Sequence, residues 1–223
     1  MNFYVSIDFD GTIVDKDITD EVIRRFAHPG WEAAEEEWEK GLIGSKECLE
    51  RQMALIDTPL NEVLEFVDGF KVDESFPAFI GFLRRNNIPH GVISDGFKAF
   101  SGRILGNAGL PDLPVFANGL KEEGGRLKAF FPYSKADCAS GTCKCTVSAE
   151  SGMGSPVILI GDGRSDFGLA GKAAFVFAKR KLVGYCAEKK IAHASFADFS
   201  EIERHLNILK HHNLKGLKVS AFL

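Results

Sequence analysis

Asp8 and Asp10 stand one residue apart in Ile7-Asp8-Phe9-Asp10-Gly11-Thr12, directly after an apolar run at residues 3–7. Alternate residues of an extended segment face the same way, so this spacing aims both acids into one space. Asp162 and Asp166 lie in Gly161-Asp162-Gly163-Arg164-Ser165-Asp166 after the run 157–160, and Ser94 closes a third run, 91–94. Carboxylates that converge without a cation repel one another and raise their own pKa values. A hard divalent cation removes that cost, and Mg²⁺ suits a site of a few carboxylates, one backbone carbonyl, waters and a substrate phosphate. A single Asp-x-Asp-Gly is as readily a turn as a site. Three such strand ends in one chain argue for the site.

A phosphate monoester also needs donors for its oxygens. Ser94, the backbone N–H groups of Gly11 and Gly96, and one lysine could supply them. Lys144 opens a predicted helix shortly before the run 157–160 and so reaches the same crevice, whereas Lys135 lies in a polar loop; Lys144 is the better candidate.

The elements that would carry these groups follow from pattern. The runs 3–7, 91–94 and 157–160 are short, apolar and end on Asp and Gly, which reads as buried parallel strands. Residues 97–108, 146–152, 165–172 and 197–209 carry helical spacing, and the alternation predicts a doubly wound α/β sheet. Reactive groups in such sheets gather beyond the carboxyl ends of the strands. Residues 19–27, 31–40, 45–56 and 60–68 look helical with no strand between them, with Asp17 or Thr19 available as a cap. The expectation is a helical insertion, residues 16–75, in an α/β core of residues 1–15 and 76–223; a run of ordinary core helices is the alternative.

Composition narrows the partners. The chain has 223 residues, 45% hydrophobic and 11% aromatic, enough for a full core. A net charge of -4 with both signs interspersed offers no basic stripe, which argues against nucleic acid but leaves a small anionic substrate open. The longest apolar runs, such as 173–178, are too short to span a bilayer, so no membrane partner is expected. Five cysteines, an odd number, without an apolar leader fit a reducing cytoplasm. Cys138, Cys143 and Cys145 lack a fourth nearby zinc ligand and read as thiols around a substrate loop that could form a disulfide on oxidation. Arg51, Arg164 and Lys98 read chiefly as solvated charges, with Arg51 also open to a substrate role; Phe97 and Phe100 read as core. His193, His205, His211 and His212 show no metal spacing, and the basic tail 211–218 suggests no function.

Asp8-Phe9-Asp10-Gly11-Thr12, Ser94 in Val92-Ile93-Ser94-Asp95-Gly96, Lys144 and the segment Gly161 to Asp166 together resemble the motifs of the haloacid dehalogenase superfamily, over residues 8–166. The resemblance implies Asp8 as the nucleophile that takes a phosphoryl group, and Asp10 as acid for the leaving alkoxide and then base for water. It implies Ser94 and Lys144 on the phosphoryl oxygens, Gly11, Asp95 and Gly96 around the substrate, and Mg²⁺ held by Asp8, Asp162 and the Asp10 carbonyl with Asp166 in support. Dehalogenases and ion pumps of the superfamily lack an acid at the place of Asp10, so its presence implies a phosphatase.

The helical insertion resembles the cap of the phosphoserine phosphatase-like branch, where Asp17 stands in place of glutamate and the cap arginine falls near Arg51 or Gln52, with Gln52 the ungapped match. Ser45-Lys46-Glu47 with Arg51, residues 92–97 and Cys143-Lys144-Cys145 are more similar to the 2-hydroxy-3-keto-5-methylthiopentenyl-1-phosphate phosphatases of methionine salvage. Asp95 stands where those have glycine, and Thr142-Cys143-Lys144-Cys145-Thr146 replaces their Cys-Cys-Lys-Pro. The expected function is therefore Mg²⁺-dependent hydrolysis of a small phosphorylated metabolite by a cytoplasmic monomer or homodimer. Phosphoserine or another small phosphoester is the alternative substrate, and a phosphotransferase or a non-catalytic phosphate-binding protein is the alternative class.

Overall fold

The computed structural model describes residues 3–211; the rest of the basic tail, with His212, lies outside the described residues. Strands β1 (Tyr4–Ile7), β2 (His90–Phe97), β3 (Val115–Glu123), β4 (Arg126–Phe130), β5 (Val157–Gly161), β6 (Phe175–Ala178) and β7 (His193–Ser195) form one sheet, in the order β4-β3-β2-β1-β5-β6-β7. Every pairing is parallel except the β3–β4 hairpin. The fold is thus the doubly wound α/β sheet that the alternation predicts.

Strand β1 is central and buried along its whole length. Ile7 is in register with Val92 on one side and Ile160 on the other. Because the strand order reverses at β1, connections diverge to both faces and leave a crevice at the carboxyl ends of β1, β2 and β5. That register brings residues after Ile7, Ile93 and Ile160 to one place.

Four helices follow β1 with no strand among them: α1 (Ile18–Phe26), α2 (Trp31–Glu39), α3 (Ser45–Met53) and α4 (Leu60–Val67). In α1 the spacing of Ile18, Val22 and Ile23 makes one buried stripe, and the Asp17 side chain caps it by accepting from the Asp20 N–H at 3.0 Å. Val22, Met53, Val63 and Val67 enter the same hydrophobic cluster as Phe79, Phe97 and Phe100 beneath the sheet. The insertion is therefore anchored by shared burial.

The remaining helices are α5 (Phe76–Arg85), α6 (Lys98–Asn107), α7 (Lys144–Ser151), α8 (Phe167–Ala170), α9 (Arg180–Glu188) and α10 (Phe199–His211). Helix α7 docks on the sheet through Val147 against Tyr4 and Ile93, and Ser148 donates to the Ser6 hydroxyl of β1 at 3.1 Å. That docking fixes its first residue, Lys144, above the crevice.

Strands β6 and β7 and helices α5 and α9 add to the expected elements, and three further details differ from the sequence expectation. Strand β2 runs past Ser94 to Phe97, with a register shift against β3 between Ile93 and Phe97. The predicted helix at 165–172 splits into a 3₁₀ turn, Arg164–Asp166, and the short α8, because Asp166 turns back to bond the chain ahead of it. The hairpin β3–β4 was not expected; Gly124 and Gly125 turn it with φ of 63° and 73°, and its Leu127 and Ala129 are buried at alternate positions. It lies against the end of α3, where the Leu127 N–H donates to the Ile56 carbonyl at 3.0 Å.

Candidate active site

Asp8, the first residue past β1, accepts from Lys144 Nζ at 2.6 Å. The same ammonium donates to Asp166 Oδ1 at 2.7 Å and to Ser165 Oγ at 3.0 Å. The side chains of Lys144, Asp8 and Asp166 are 3%, 5% and 0% exposed, so water does little to screen them. Burial and then the neighbouring Asp166 push the Asp8 carboxyl well above its ordinary range, against the pull of Lys144. Against the cost of burial, Asp166 and Asp8 hold the Lys144 ammonium above the usual lysine range. Lys135, by contrast, is exposed near Glu150.

Asp10 faces the same crevice from one residue further on. Its Oδ1 accepts from the Ile18 N–H at 2.9 Å and its Oδ2 from the Ser94 hydroxyl at 3.2 Å. Burial first, and the nearby Asp17 second, push its pKa up to about 8. An acid so placed keeps its proton at neutral pH, which suits proton donation to a leaving oxygen. Gly96 lets these groups converge: a Cβ there would lie 2.7 Å from Asp10 Oδ2, 3.1 Å from Thr19 Oγ1 and 3.2 Å from Ser94 Oγ. Gly11 takes φ of 73°, and a side chain on it would run into the Asp162 carboxylate.

The N–H groups of Gly11 and Gly96 are not open to a ligand in this structure. Gly11 donates to the Lys16 carbonyl at 3.2 Å and Gly96 to the Ser94 hydroxyl at 2.9 Å. The nearest side-chain donors, Lys144 and Ser94, are likewise paired within the site, Lys144 with Asp8, Asp166 and Ser165 and Ser94 with Asp10.

The donor set fits a hard divalent cation. One oxygen from each of Asp8, Asp162 and Asp166 lies within 4.8 Å of the others. Three carboxylates face the Lys144 ammonium and, at Asp162, the Arg180 guanidinium at 3.4 Å, which still leaves one negative charge in excess, and burial and then Asp166 push Asp162 up to about 6. Asp166 is already occupied, its Oδ2 accepting from the N–H groups of Asp162 and Gly163 at 3.0 and 3.2 Å. Asp8 and Asp162 are thus the direct ligands this geometry offers to Mg²⁺, and Asp166 orients the loop and the lysine. The Asp10 side chain is bonded to Ser94 and Ile18 and lies outside this cluster of three.

A cavity of about 630 Å³ opens above these groups, walled on its far side by α1, α2 and α3. Asp17 and Asp95 both border it. Asp17 is exposed to the cavity yet enclosed by protein, and that enclosure, together with Glu35 and Asp95, raises its pKa. Arg51 does not reach the cavity: its guanidinium pairs on the outer surface with Glu37 at 2.7 Å and Glu47 at 3.6 Å. Gln52, the next residue, is 1% exposed, borders the cavity and donates to Glu35 at 2.9 Å. A helix turns by 100° per residue, so neighbours on α3 cannot share a face.

Sequence reasoning also missed Arg164 and Arg180. Arg164 lies over the Trp38 ring at 5.2 Å and donates to the carbonyls of Trp38 and Glu39, tying the loop after β5 to the end of α2. Arg180 donates to Asp162 at 3.4 Å and to the Asp15 carboxylate at 2.6 Å. Arg164 lies in the segment Gly161 to Asp166 but reads there as a solvated charge, Arg180 lies outside the quoted motifs, and both act through tertiary contacts.

A family model for haloacid dehalogenase-like hydrolases matches residues 5–171. The chain belongs to the haloacid dehalogenase-like hydrolase family. It is similar to a 2-hydroxy-3-keto-5-methylthiopentenyl-1-phosphate phosphatase of Brevibacillus brevis, 30% identical over 203 residues that cover 88% of this chain and 91% of the relative. A protein of the same name from Geobacillus thermodenitrificans is 28% identical over 210 residues, 91% and 94% of the two chains. The fold matches a solved phospho-aspartyl intermediate analogue of phosphoserine phosphatase with TM-score 0.67, 19% identity and coverage of 91% and 97%. A phosphoserine phosphatase from T. onnurineus matches with TM-score 0.66, 17% identity and coverage of 92% and 94%. Within this haloacid dehalogenase-like fold, the crevice beyond β1, β2 and β5 holds Asp8, Asp10, Ser94, Lys144, Asp162 and Asp166 together.

Proposed function

We propose that the chain is a Mg²⁺-dependent phosphomonoesterase that hydrolyses a small phosphorylated metabolite through an aspartyl-phosphate on Asp8. The observation that carries this reading is the buried arrangement of Asp8, Lys144 and Asp166 beside a second acid, Asp10, whose side chain meets the Ser94 hydroxyl at 3.2 Å. Asp8 attacks phosphorus while Lys144 and Ser94 hold the phosphoryl oxygens, and Asp10 gives its proton to the departing oxygen. Asp10, now a carboxylate, takes a proton from water as water attacks the aspartyl-phosphate, which regenerates both acids. Asp8, Asp162 and the Asp10 carbonyl would hold Mg²⁺, which would supply charge neutralisation at the phosphate.

Residues 16–75 act as a cap over the site. Ser45 Oγ at the start of α3 donates to Asp95 Oδ2 at 2.5 Å, and Arg164 grips the end of α2, so the helices rest closed on the sheet. Closure of this kind excludes water from the reaction.

The names of the similar proteins make 2-hydroxy-3-keto-5-methylthiopentenyl-1-phosphate the first metabolite to assay. Phosphoserine is the second, since Asp17 borders the cavity, although Arg51 faces away from it. Among the described residues no helix is long and apolar enough to cross a membrane, and all five cysteines are free thiols, which suits the cytoplasm. A phosphate-release screen of small phosphomonoesters with added Mg²⁺ tests the reading. Release that depends on Mg²⁺ and disappears in Asp8→Asn is expected; no release above that variant on any ester would overturn it.

A further inference from the structure

Each carboxylate of the cation cluster already has an oxygen taken by a protein donor. Asp8 Oδ1 accepts from Lys144, and Asp166 accepts from Lys144 on Oδ1 and from the Asp162 and Gly163 N–H groups on Oδ2. Asp162 is held by a different cation: Arg180 donates to its Oδ2 at 3.4 Å. The Asp162 side chain is 14% exposed, so this contact sits at the mouth of the cluster and not out in solvent.

The backbone around Arg180 is built to aim it there. Arg180 opens α9 just past β6 with φ of 48°, a left-handed conformation that costs any residue but glycine. On either side of it, the Lys179 N–H donates to the Gly161 carbonyl and the Leu182 N–H to the Asp162 carbonyl, both at 2.9 Å. The second guanidinium nitrogen donates to the Asp15 backbone carbonyl at 2.5 Å and to the Asp15 carboxylate at 2.6 Å. That carboxylate is 99% exposed and screened by water, so the backbone carbonyl is the firmer anchor. Gly11 leaves room for the meeting: a Cβ there would lie 2.2 Å from Asp162 Oδ2 and 2.7 Å from Arg180 Nη1. The planar fork of an arginine can hold two such acceptors at once, which a single ammonium cannot.

We propose that Arg180 sets the cation preference of the site: it holds Asp162 to one free oxygen and so favours Mg²⁺ over Ca²⁺. Mg²⁺ demands near-octahedral geometry and keeps several waters, whereas Ca²⁺ takes about six to eight oxygens and gains from a carboxylate that offers both of its own. With Oδ2 engaged by Arg180, Asp162 offers Oδ1 alone. Removing the guanidinium has two effects. It takes away a positive charge, which strengthens the binding of either divalent cation, and it frees the second oxygen, which strengthens Ca²⁺ selectively. The ratio of the two affinities isolates the second effect. The inference rests on the cation site of the phosphatase reading and adds the residue that selects the ion.

Calorimetric titration of the intact chain with Mg²⁺ and with Ca²⁺ tests this without any turnover. The parent should bind Mg²⁺ more tightly. In Arg180→Met the preference for Mg²⁺ should shrink by about tenfold. Arg180→Gly should shrink it as much, and it relieves the left-handed backbone, so it keeps the test open if the methionine variant misfolds. Asp15→Asn leaves the backbone carbonyl in place and should keep the parent ratio. Thermal unfolding of each variant separates misfolding from lost selectivity. A parent that binds Ca²⁺ as tightly as Mg²⁺, a ratio unchanged in both Arg180 variants, or an equal loss in Asp15→Asn would overturn the role of Arg180 and leave the phosphatase standing, as judged by Mg²⁺-dependent cleavage of p-nitrophenyl phosphate. If no ester is cleaved above Asp8→Asn while the ratio shifts as expected, the phosphatase reading fails and the selectivity stands. A parent that binds neither cation overturns both.

Discussion

Ser45 and Asp95, fifty residues apart in the chain, meet in a 2.5 Å hydrogen bond between the first residue of α3 and strand β2. The Asp95 carboxylate also accepts from the Thr142 N–H at 2.8 Å, and Asn118 donates to both its backbone carbonyl and its side chain. One acid thus links the inserted helices, the sheet and the loop that leads into Lys144. Burial raises its pKa, a cost that the three donors partly offset. A glycine at this position could make none of the side-chain links. Ser45→Ala should therefore lower stability by about 1–2 kcal/mol, a fall in Tm of roughly 2–8 °C. Asp95→Gly should do more and should also slow turnover, because the Thr142 N–H loses its anchor ahead of Lys144. Unchanged thermal unfolding in both variants would show that the link is incidental.

Asp10→Asn keeps the shape of the side chain and removes its proton. Turnover of alkyl phosphates should fall by about 10²–10⁴-fold, while Mg²⁺ affinity, measured by calorimetry, stays close to that of the unaltered protein. Near-normal turnover would assign the acid to another group.

Lys144→Met retains the volume of the side chain but leaves Asp8 and Asp166 buried without a counter-charge. A loss of about 3–5 kcal/mol is expected without metal. Mg²⁺ should recover part of it, because a bound cation supplies the missing charge. Chemical denaturation with and without Mg²⁺ reads both effects; a variant as stable as the parent in both conditions would contradict the coupling.

The acids of the site set the pH dependence of the metal-free protein. Asp10, Asp20 and Asp162 titrate at about 8, about 7 and about 6, and Asp8, Asp17 and Asp95 are also raised. In the unfolded chain these groups lose their protons near pH 4. Between about pH 4 and about pH 8 the folded state therefore binds more protons than the unfolded state. The stability these acids contribute is fully present below their unfolded values and is lost as pH rises through the folded values. Without metal, Tm should fall from pH 5 to pH 8, and Mg²⁺ should flatten the decline. A Tm that rises over this interval without metal would mean that the acids are not close enough to share protons.

The three central strands and the crevice they end on were legible in the sequence because they repeat one local rule: an apolar run that ends on Asp or Gly, three times over. Asp8, Ser94 and Asp162 fall at aligned strand ends since β1 is in register with both β2 and β5. Lys144 was separable from Lys135 because only one of them opens a helix beside the third strand. The hairpin β3–β4 was missed although Gly124-Gly125 flanked by alternation carried its signal; a half-exposed strand such as Arg126–Phe130 buries only alternate residues. The cavity wall was least legible. Arg51 and Gln52 differ by one position on α3, and only the packing of that helix decides which side chain turns inward. Of the two caps the sequence offers for α1, Asp17 fills the role, and the buried Thr19 hydroxyl has no hydrogen-bond partner.

The most direct test of the account is mass spectrometry of protein quenched in acid during turnover of p-nitrophenyl phosphate, whose leaving group needs no proton. A phosphoryl group on the peptide containing Asp8 is expected, removable by hydroxylamine, absent in Asp8→Asn and more abundant in Asp10→Asn, which lacks the base for the second step. Full turnover with Asp8 never carrying a phosphoryl group, or turnover that survives in Asp8→Asn, would contradict it.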